Sequence, residues 1–140
     1  MEYQPMVTGS CLCGEIEFQI TGKINPIQIC HCQQCRKAQG GPLATNIPVN
    51  ISNLNFVKGG EYLQEFESLT RKGKHRVFCR RCGSPILSKL DTAPTIVRVR
   101  AGTLDEPFSS RLALHQFVAR KASWWTIDDE LPQHDEYPPE

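Results

Sequence analysis

Three closely spaced cysteines are the residues of this chain best suited to chemistry. Cys30, Cys32 and Cys35 place three thiols within six residues. Thiolate ligands at this spacing suit zinc better than magnesium or calcium. Structural zinc sites are usually closed by four protein ligands, whereas catalytic sites keep a position for water or substrate. Three thiols without a fourth local ligand therefore indicate a catalytic zinc with one open position.

An open position on such a zinc predicts chemistry on an external thiol. Coordination to zinc deprotonates a thiol, and the resulting thiolate attacks electrophilic carbon such as an aldehyde carbonyl. The reverse reaction breaks a carbon–sulfur bond. Water in the same position would instead support hydrolysis. We favour thiol–aldehyde chemistry, with Cys30, Cys32 and Cys35 as the candidate catalytic residues.

The other four cysteines form two tight pairs that together complete a tetrahedral site. Cys11 and Cys13 lie two apart, so their side chains point to the same side of an extended backbone. Cys79 and Cys82 form a Cys-x-x-Cys knuckle followed by Gly83, which permits the tight turn. Four thiolates would bind a structural zinc and tie the first strand to the middle of the chain.

A second grouping of the thiols is a zinc ribbon made of Cys32, Cys35, Cys79 and Cys82. The gap between its two pairs is 43 residues, much longer than the roughly 15 to 20 of the ribbon pattern. This grouping also leaves the remaining three cysteines without a complete site. The first division, four thiols plus three, is therefore the favoured one.

Composition describes one neutral domain. The chain has 140 residues with 16 basic and 15 acidic side chains, a formal net charge of +1, so no overall field favours nucleic acid or a membrane surface. No apolar stretch approaches a membrane span, and residues 1–7 lack the pattern of a signal peptide. An odd count of seven cysteines excludes a complete intrachain disulfide framework. We expect a cytoplasmic protein whose clustered cysteines bind metal.

Short strands must position these cysteines. Alternating polar and apolar residues and frequent Gly and Pro turns predict a mainly β fold, with strands over residues 15–20, 27–29, 43–49, 54–57, 62–68, 76–79, 85–88, 95–100 and 112–118. Pro48 demotes its strand to an edge or a bulge. Residues 36–39 are expected to form one helical turn before Gly40. Cys30 then lies at the end of a strand.

The chain divides into a core and two ends. Residues 1–8 are expected to be a loose lead-in, residues 9–127 a single zinc-binding β domain, and residues 128–140 an acidic, proline-rich tail with little capacity for burial. Trp124 and Trp125 are expected to pack on the body and anchor the chain end to the core.

The four histidines are expected to play minor roles. His31 stands between two of the cysteines, but neighbours in extended backbone point to opposite sides. We therefore expect it to lie behind the ligands or in solvent rather than to bind metal. His75, His115 and His134 have no partner that the sequence identifies, and each is expected to be an ordinary polar or packing residue.

The order of these motifs resembles the glutathione-dependent formaldehyde-activating enzyme family. The resemblance runs from about Gly9 to Pro139. It is carried by Cys11-x-Cys13-Gly14, Cys30-His31-Cys32-x-x-Cys35-Arg36, Phe78-Cys79-x-x-Cys82-Gly83-Ser84, Gly102-Thr103-Leu104-Asp105, and Trp124-Trp125 to Leu131-Pro132.

This resemblance implies an Mss4-like fold of short antiparallel strands built around two zinc ions. The structural zinc would be held by Cys11, Cys13, Cys79 and Cys82, and the catalytic zinc by Cys30, Cys32 and Cys35. The implied reaction condenses glutathione with formaldehyde to S-hydroxymethylglutathione, formally a carbon–sulfur lyase activity. The alternative is a zinc-stabilised binding module without catalysis, in which both metals are structural.

One basic concentration could meet a glutathione-like substrate. It contains Arg71, Lys72, Lys74, Arg76, Arg80 and Arg81. Arginine suits bidentate contact with the carboxylates of such a tripeptide. For any single residue, a solvated loop face is the favoured interpretation. Nucleic-acid binding by this patch is disfavoured because the balance of charge is neutral and the tail is acidic.

Overall fold

A computed structural model of the chain describes residues 6–105 and 107–138. The strands are β1 (Met6–Ser10), β2 (Glu17–Thr21), β3 (Ile27–Cys30), β4 (Ala44–Asn50), β5 (Leu54–Lys58), β6 (Leu63–Glu67), β7 (Lys74–Cys79), β8 (Pro85–Leu90), β9 (Ile96–Arg100) and β10 (Leu112–Gln116). The α-helix α1 spans Gln33–Gln39, and short 3-10 turns cover Ile51–Asn53, Gly60–Tyr62, Ala101–Thr103 and Val118–Arg120. In this described part, no helix is both long and apolar enough to cross a membrane.

The strands form two sheets, which confirms the predicted mainly β fold. The smaller sheet has the order β1-β2-β5, and the larger one has the order β10-β3-β4-β9-β8-β7-β6. All pairs are antiparallel except β10 with β3, which is parallel. The parallel pair brings β10, from late in the chain, beside the strand that ends at Cys30.

The main core lies between the two sheets. Phe18 of the small sheet packs in one buried cluster with Ile47, Ile86 and Val99 of the large sheet. Gly9 on the neighbouring strand allows this packing, since a Cβ atom there would stand 2.2 Å from the Phe18 ring. Burial of such side chains is the dominant stabilising contribution to a domain of this size.

The strand that contains Pro48 is central rather than at an edge, so that prediction was wrong. β4 pairs with β3 on one side and β9 on the other. The ladder to β3 covers only residues 44–46 of β4, and the Pro48 carbonyl accepts a hydrogen bond of 2.7 Å from the Asn25 side chain on that side. On this side of β4 no strand pairs with residue 48. The backbone N–H that proline lacks is therefore not required there, and proline is tolerated.

The helix begins earlier than residue 36. Cys32 is its N-cap, with extended backbone and a side chain that accepts a hydrogen bond from the Cys35 N–H. Gly40 ends the helix in the left-handed conformation at φ 71°, where glycine carries no Cβ penalty. Cys35 thus lies in the first turn of α1 rather than in a loop.

The tryptophan pair does not anchor the chain, contrary to expectation. Trp124 is 67% exposed and Trp125 is 37% exposed, and their rings meet each other edge to face. The nearby residue that is buried is Ala122, at 2% exposure. At this point of the chain the small side chain is buried, and the large aromatic rings are exposed.

The C-terminal segment, residues 129–138, lies along β10. The sequence predicts residues 128–140 to be an acidic, proline-rich tail. Backbone bonds join His115 to Pro132 at 2.9 Å, His134 to His115 at 2.9 Å, and Phe117 to Glu136 at 3.1 Å. The described part of this segment thereby reaches the same end of the sheet as Cys30.

Candidate metal centre

Four sulfurs gather where the loop after β1 meets the turn after β7. This four-sulfur cluster consists of Cys11, Cys13, Cys79 and Cys82, whose Sγ atoms all lie within 4.8 Å of one another. The Sγ atoms of Cys11 and Cys13 are 3.6 Å apart, and those of Cys13 and Cys79 are 3.9 Å apart. Zinc–sulfur bonds of about 2.3 Å at tetrahedral angles separate sulfurs by about 3.8 Å. The donor set therefore fits zinc, and the zinc-ribbon grouping was wrong.

Local backbone geometry holds this cluster together. Gly83 adopts φ +82° and its N–H donates to the Cys79 carbonyl at 2.7 Å, which closes the knuckle turn. The Leu12 N–H donates to Ser84 Oγ at 2.9 Å, so the loop between Cys11 and Cys13 is tied directly to the knuckle. Two parts of the chain some 70 residues apart, residues 12 and 84, are joined at this point.

The three-sulfur cluster lies at the end of β3 and the start of α1. It consists of Cys30, Cys32 and Cys35, whose Sγ atoms also lie within 4.8 Å of one another. Cys30 and Cys35 are 4% and 2% exposed. Among the described residues, no histidine, carboxylate or further cysteine brings a donor atom within that distance of all three sulfurs. Three protein donors with room for a fourth match the donor set of an open zinc site.

Positive side chains surround the three-sulfur cluster. Hydrogen bonds from Cys30 and Cys32 hold the pKa of Cys35 well below its usual value, and Lys74 and Arg100 lower it further. Hydrogen bonds with Cys32 and Cys35, together with burial, raise the pKa of Cys30. Arg76 Nη2 approaches Cys35 Sγ at 3.9 Å. The neighbouring cations therefore favour the thiolate form in this cluster.

The three-sulfur cluster forms the floor of a cavity of about 320 Å³, here called the cationic pocket. This volume is at the small end of ligand pockets. Five cationic side chains line it, with polar and aromatic residues between them: Arg71, Lys74, Arg76, Arg98 and Arg120, then Gln33, Gln34, Asn46, Gln116, Phe117, Glu136 and Tyr137. Of these lining residues, Cys30, Cys35 and Asn46 are buried, whereas Arg71, Arg120 and Glu136 are exposed.

The structure divides the basic concentration of the sequence into two groups. Arg71, Lys74 and Arg76 line the cationic pocket. Arg81 pairs instead with Glu15 at 2.6 Å on a separate surface. The favoured interpretation as a solvated loop face therefore misses the pocket-lining group.

Sequence reasoning missed two further cations of the pocket. Arg98 is brought there because β9 pairs with β4, which itself pairs with the strand that carries Cys30. Arg120 follows β10 in a short 3-10 turn. Neither arginine is close to the cysteines in the sequence. The pairing of distant strands brings both arginines to the pocket.

A buried histidine pair lies behind the three-sulfur cluster. His31 is fully buried and its Nε2 lies 2.8 Å from Nδ1 of His115. His115 Nε2 in turn lies 2.9 Å from the carboxylate of Asp129. The sequence identified no partner for His115, and the structure gives it two. His31 lies behind the ligands rather than in solvent. His75 also has partners, because its ring lies within 3.5 Å of Glu65 and 3.1 Å of Asp91.

Asp129 determines which ring nitrogens carry protons. A carboxylate only accepts hydrogen bonds, so His115 donates from Nε2 and accepts at Nδ1 from the Nε2–H of His31. Burial and the neighbouring His115 lower the pKa of His31 to about 4. His31 is therefore neutral at pH 7, and its buried Nδ1 has no hydrogen-bond partner among the described residues.

Comparison with known proteins agrees with this geometry. The model of the glutathione-dependent formaldehyde-activating enzyme family matches residues 6–121. This chain belongs to that family. A crystal structure of a Rhodobacter sphaeroides protein matches with a TM-score of 0.60 and 27% identity, covering 72% of this chain and 90% of the other. No curated protein matches the chain.

Proposed function

We propose that this protein is a zinc-dependent enzyme that joins glutathione to formaldehyde and forms S-hydroxymethylglutathione, a carbon–sulfur lyase-type activity. Membership of the family supports the substrate pair. The observation that carries the proposal is the three-sulfur cluster, which lies at the floor of a cationic pocket with no fourth protein donor among the described residues. The clustered cysteines suit metal binding in a reducing compartment, and we propose that the protein works in the cytoplasm.

The two clusters would hold two zinc ions with different roles. Cys11, Cys13, Cys79 and Cys82 would bind a structural zinc because four thiolates complete its coordination. Cys30, Cys32 and Cys35 would bind the catalytic zinc. When bound there, zinc would stabilise the thiolate form of a coordinated thiol, which is a stronger nucleophile than the thiol.

Charge in the cationic pocket suits a thiolate with carboxylate groups. Arg71, Arg98 and Arg120 are positioned to bind the two carboxylates of glutathione while its sulfur reaches the floor. Lys74 and Arg100 lie close enough to Cys35 to shift its pKa, and they offset negative charge on the sulfurs. Positive charge at this depth favours an anionic sulfur over a neutral guest.

The reaction needs no oxidant or reductant. The glutathione sulfur attacks the carbonyl carbon of formaldehyde and a carbon–sulfur bond forms. The electrons of the carbonyl π bond move to oxygen, which takes up the proton that the thiol has lost. The chain's contribution is to hold the sulfur next to the aldehyde and to keep it deprotonated.

The test is the rate of adduct formation between glutathione and formaldehyde, measured by exchange spectroscopy with the zinc-loaded protein. We expect acceleration by the wild type and a decrease of about tenfold for Arg98→Gln at low glutathione concentration, because a hydrogen bond to a charged group is lost. Arg81→Gln is the matched control, since Arg81 lies outside the pocket, and should retain the wild-type rate. Zinc binding without any acceleration would rule out this reaction and leave a non-catalytic binding module.

A further inference from the structure

The C-terminal segment forms one wall of the cationic pocket although it lies beyond the family match, which ends at residue 121. Its start is fixed by the Asp129 carboxylate on His115, at 2.9 Å. Its middle is fixed by backbone bonds to β10, and the Val118 N–H donates to the His134 carbonyl at 3.0 Å. These bonds determine which residues of the segment reach the pocket.

Tyr137 is held by two residues that line the same pocket. Its ring meets Phe117 edge to face, with centroids 4.7 Å apart. The Arg71 guanidinium lies over the other part of the ring, 5.6 Å from its centroid, and donates to Tyr137 Oη. Aromatic and cation–π contacts of this kind fix a side chain at a partly exposed site. The wall is therefore an ordered part of the pocket.

Among the described residues that line the pocket, Glu136 is the one with an acidic side chain, and it shares this lining with five cationic side chains. Its backbone carbonyl is fixed by the Phe117 N–H at 3.1 Å. Its side chain is exposed and forms no ion pair with any described residue. A carboxylate placed merely to neutralise the pocket would pair with one of the arginines. This carboxylate is instead available to a ligand.

We propose that Glu136 binds the ammonium group of a zwitterionic thiol and so selects thiols that carry an amino group beside their carboxylates. This inference rests on the proposed function, because it assumes that a thiol occupies the cationic pocket. Arginines of the pocket would meet the ligand's carboxylates, and Glu136 would meet the group of opposite charge. Electrostatic complementarity of this kind contributes specificity more than affinity. Glu136 is thus a specificity-determining residue supplied by the C-terminal segment.

The experiment compares two thiols by titration calorimetry on the zinc-loaded, full-length protein. One is glutathione, and the other is its analogue in which hydrogen replaces the α-amino group while the thiol and both carboxylates remain. We expect the wild type to bind glutathione about threefold more tightly, the range of an exposed ion pair. The preference should decrease as salt is raised. Glu136→Gln should abolish the preference, and Glu136→Lys should reverse it.

Asp135→Asn is the matched control, because it removes the neighbouring charge of the same segment from a residue that does not line the pocket, and it should keep the threefold preference. Equal binding of the two thiols by the wild type would overturn the inference while leaving the proposed function intact. A preference that persists in Glu136→Gln would overturn it as well. If neither thiol bound the wild type, the proposed function would fail together with the inference.

Discussion

The two cysteine clusters differ by one thiol and by the charges around them. The four-sulfur cluster joins the loop after β1 to the knuckle after β7, and the Arg81–Glu15 pair near it is exposed. The three-sulfur cluster lies at the floor of a pocket, next to Arg76, Lys74 and Arg100. Four protein ligands, which would complete the coordination of a zinc ion, suit a cross-link. Incomplete coordination in a positively charged pocket suits a thiolate guest.

Under the proposed function, the role of each metal site would follow from its neighbours as much as from its ligands. Both clusters offer the same donor atom, and their sulfurs meet the same distance limit. What separates them is the ring of cations supplied by β7, β9 and the turn after β10. Three predictions test the comparison.

Loss of a ligand from the four-sulfur cluster should have the largest effect. Cys79→Ser leaves three thiols to hold a zinc that connects distant parts of the chain, so we expect a decrease of about 5 kcal/mol or more in the free energy of unfolding. Thermal unfolding followed by circular dichroism, with metal analysis of the folded fraction, measures it. An unchanged unfolding temperature would contradict the cross-linking role.

Loss of a ligand from the three-sulfur cluster should reduce the rate of adduct formation more than it reduces the stability of the fold. Cys32→Ser is expected to reduce the metal content from two zinc ions to one and to abolish adduct formation. It should cost only about 1–2 kcal/mol of stability, because the helix cap is weakened but the core is intact. Metal analysis and the exchange assay measure both effects on one sample. A variant that retained two zinc ions would show that the two sites are not built as described.

The smallest effect is expected for the histidine pair behind the three-sulfur cluster. The hydrogen bond to His115 lowers the pKa of Asp129 below 3.8. Its stabilising contribution is therefore present above pH 3.8 and is lost as the pH falls through the lowered pKa. Asp129→Ala should unfold at a modestly lower temperature than the wild type at pH 7, and the gap should narrow at a pH below 3.8, as the carboxylate becomes protonated. An equal gap at both pH values would show that the carboxylate's charge is not involved.

Local patterns in the sequence accounted for most of the strands and for the grouping of the cysteines. Alternation at residues 15–20 predicted β2, and the spacing of the pairs placed Cys11 and Cys13 with Cys79 and Cys82. Both predictions rest on residues that are close together in the sequence, where periodicity and cysteine spacing can be recognised.

Features that depend on the packing of distant segments were not predictable in the same way. Arg98 reaches the pocket through two successive strand pairings. His115 finds His31 only because β10 pairs in parallel with β3. Trp124 was expected inside because of its apolar ring, but Ala122 is the buried residue of this stretch and Trp124 is exposed. Register and available space decide such contacts, and neither can be read from one segment alone.

Cys32 has a second consequence beyond its place in the three-sulfur cluster. Its sulfur also accepts the Cys35 N–H as the cap of α1, so an oxidant or alkylating agent that modifies this sulfur would also weaken the first turn of the helix. Chemical damage at the pocket floor would therefore appear in the backbone, as faster amide hydrogen exchange at Cys35.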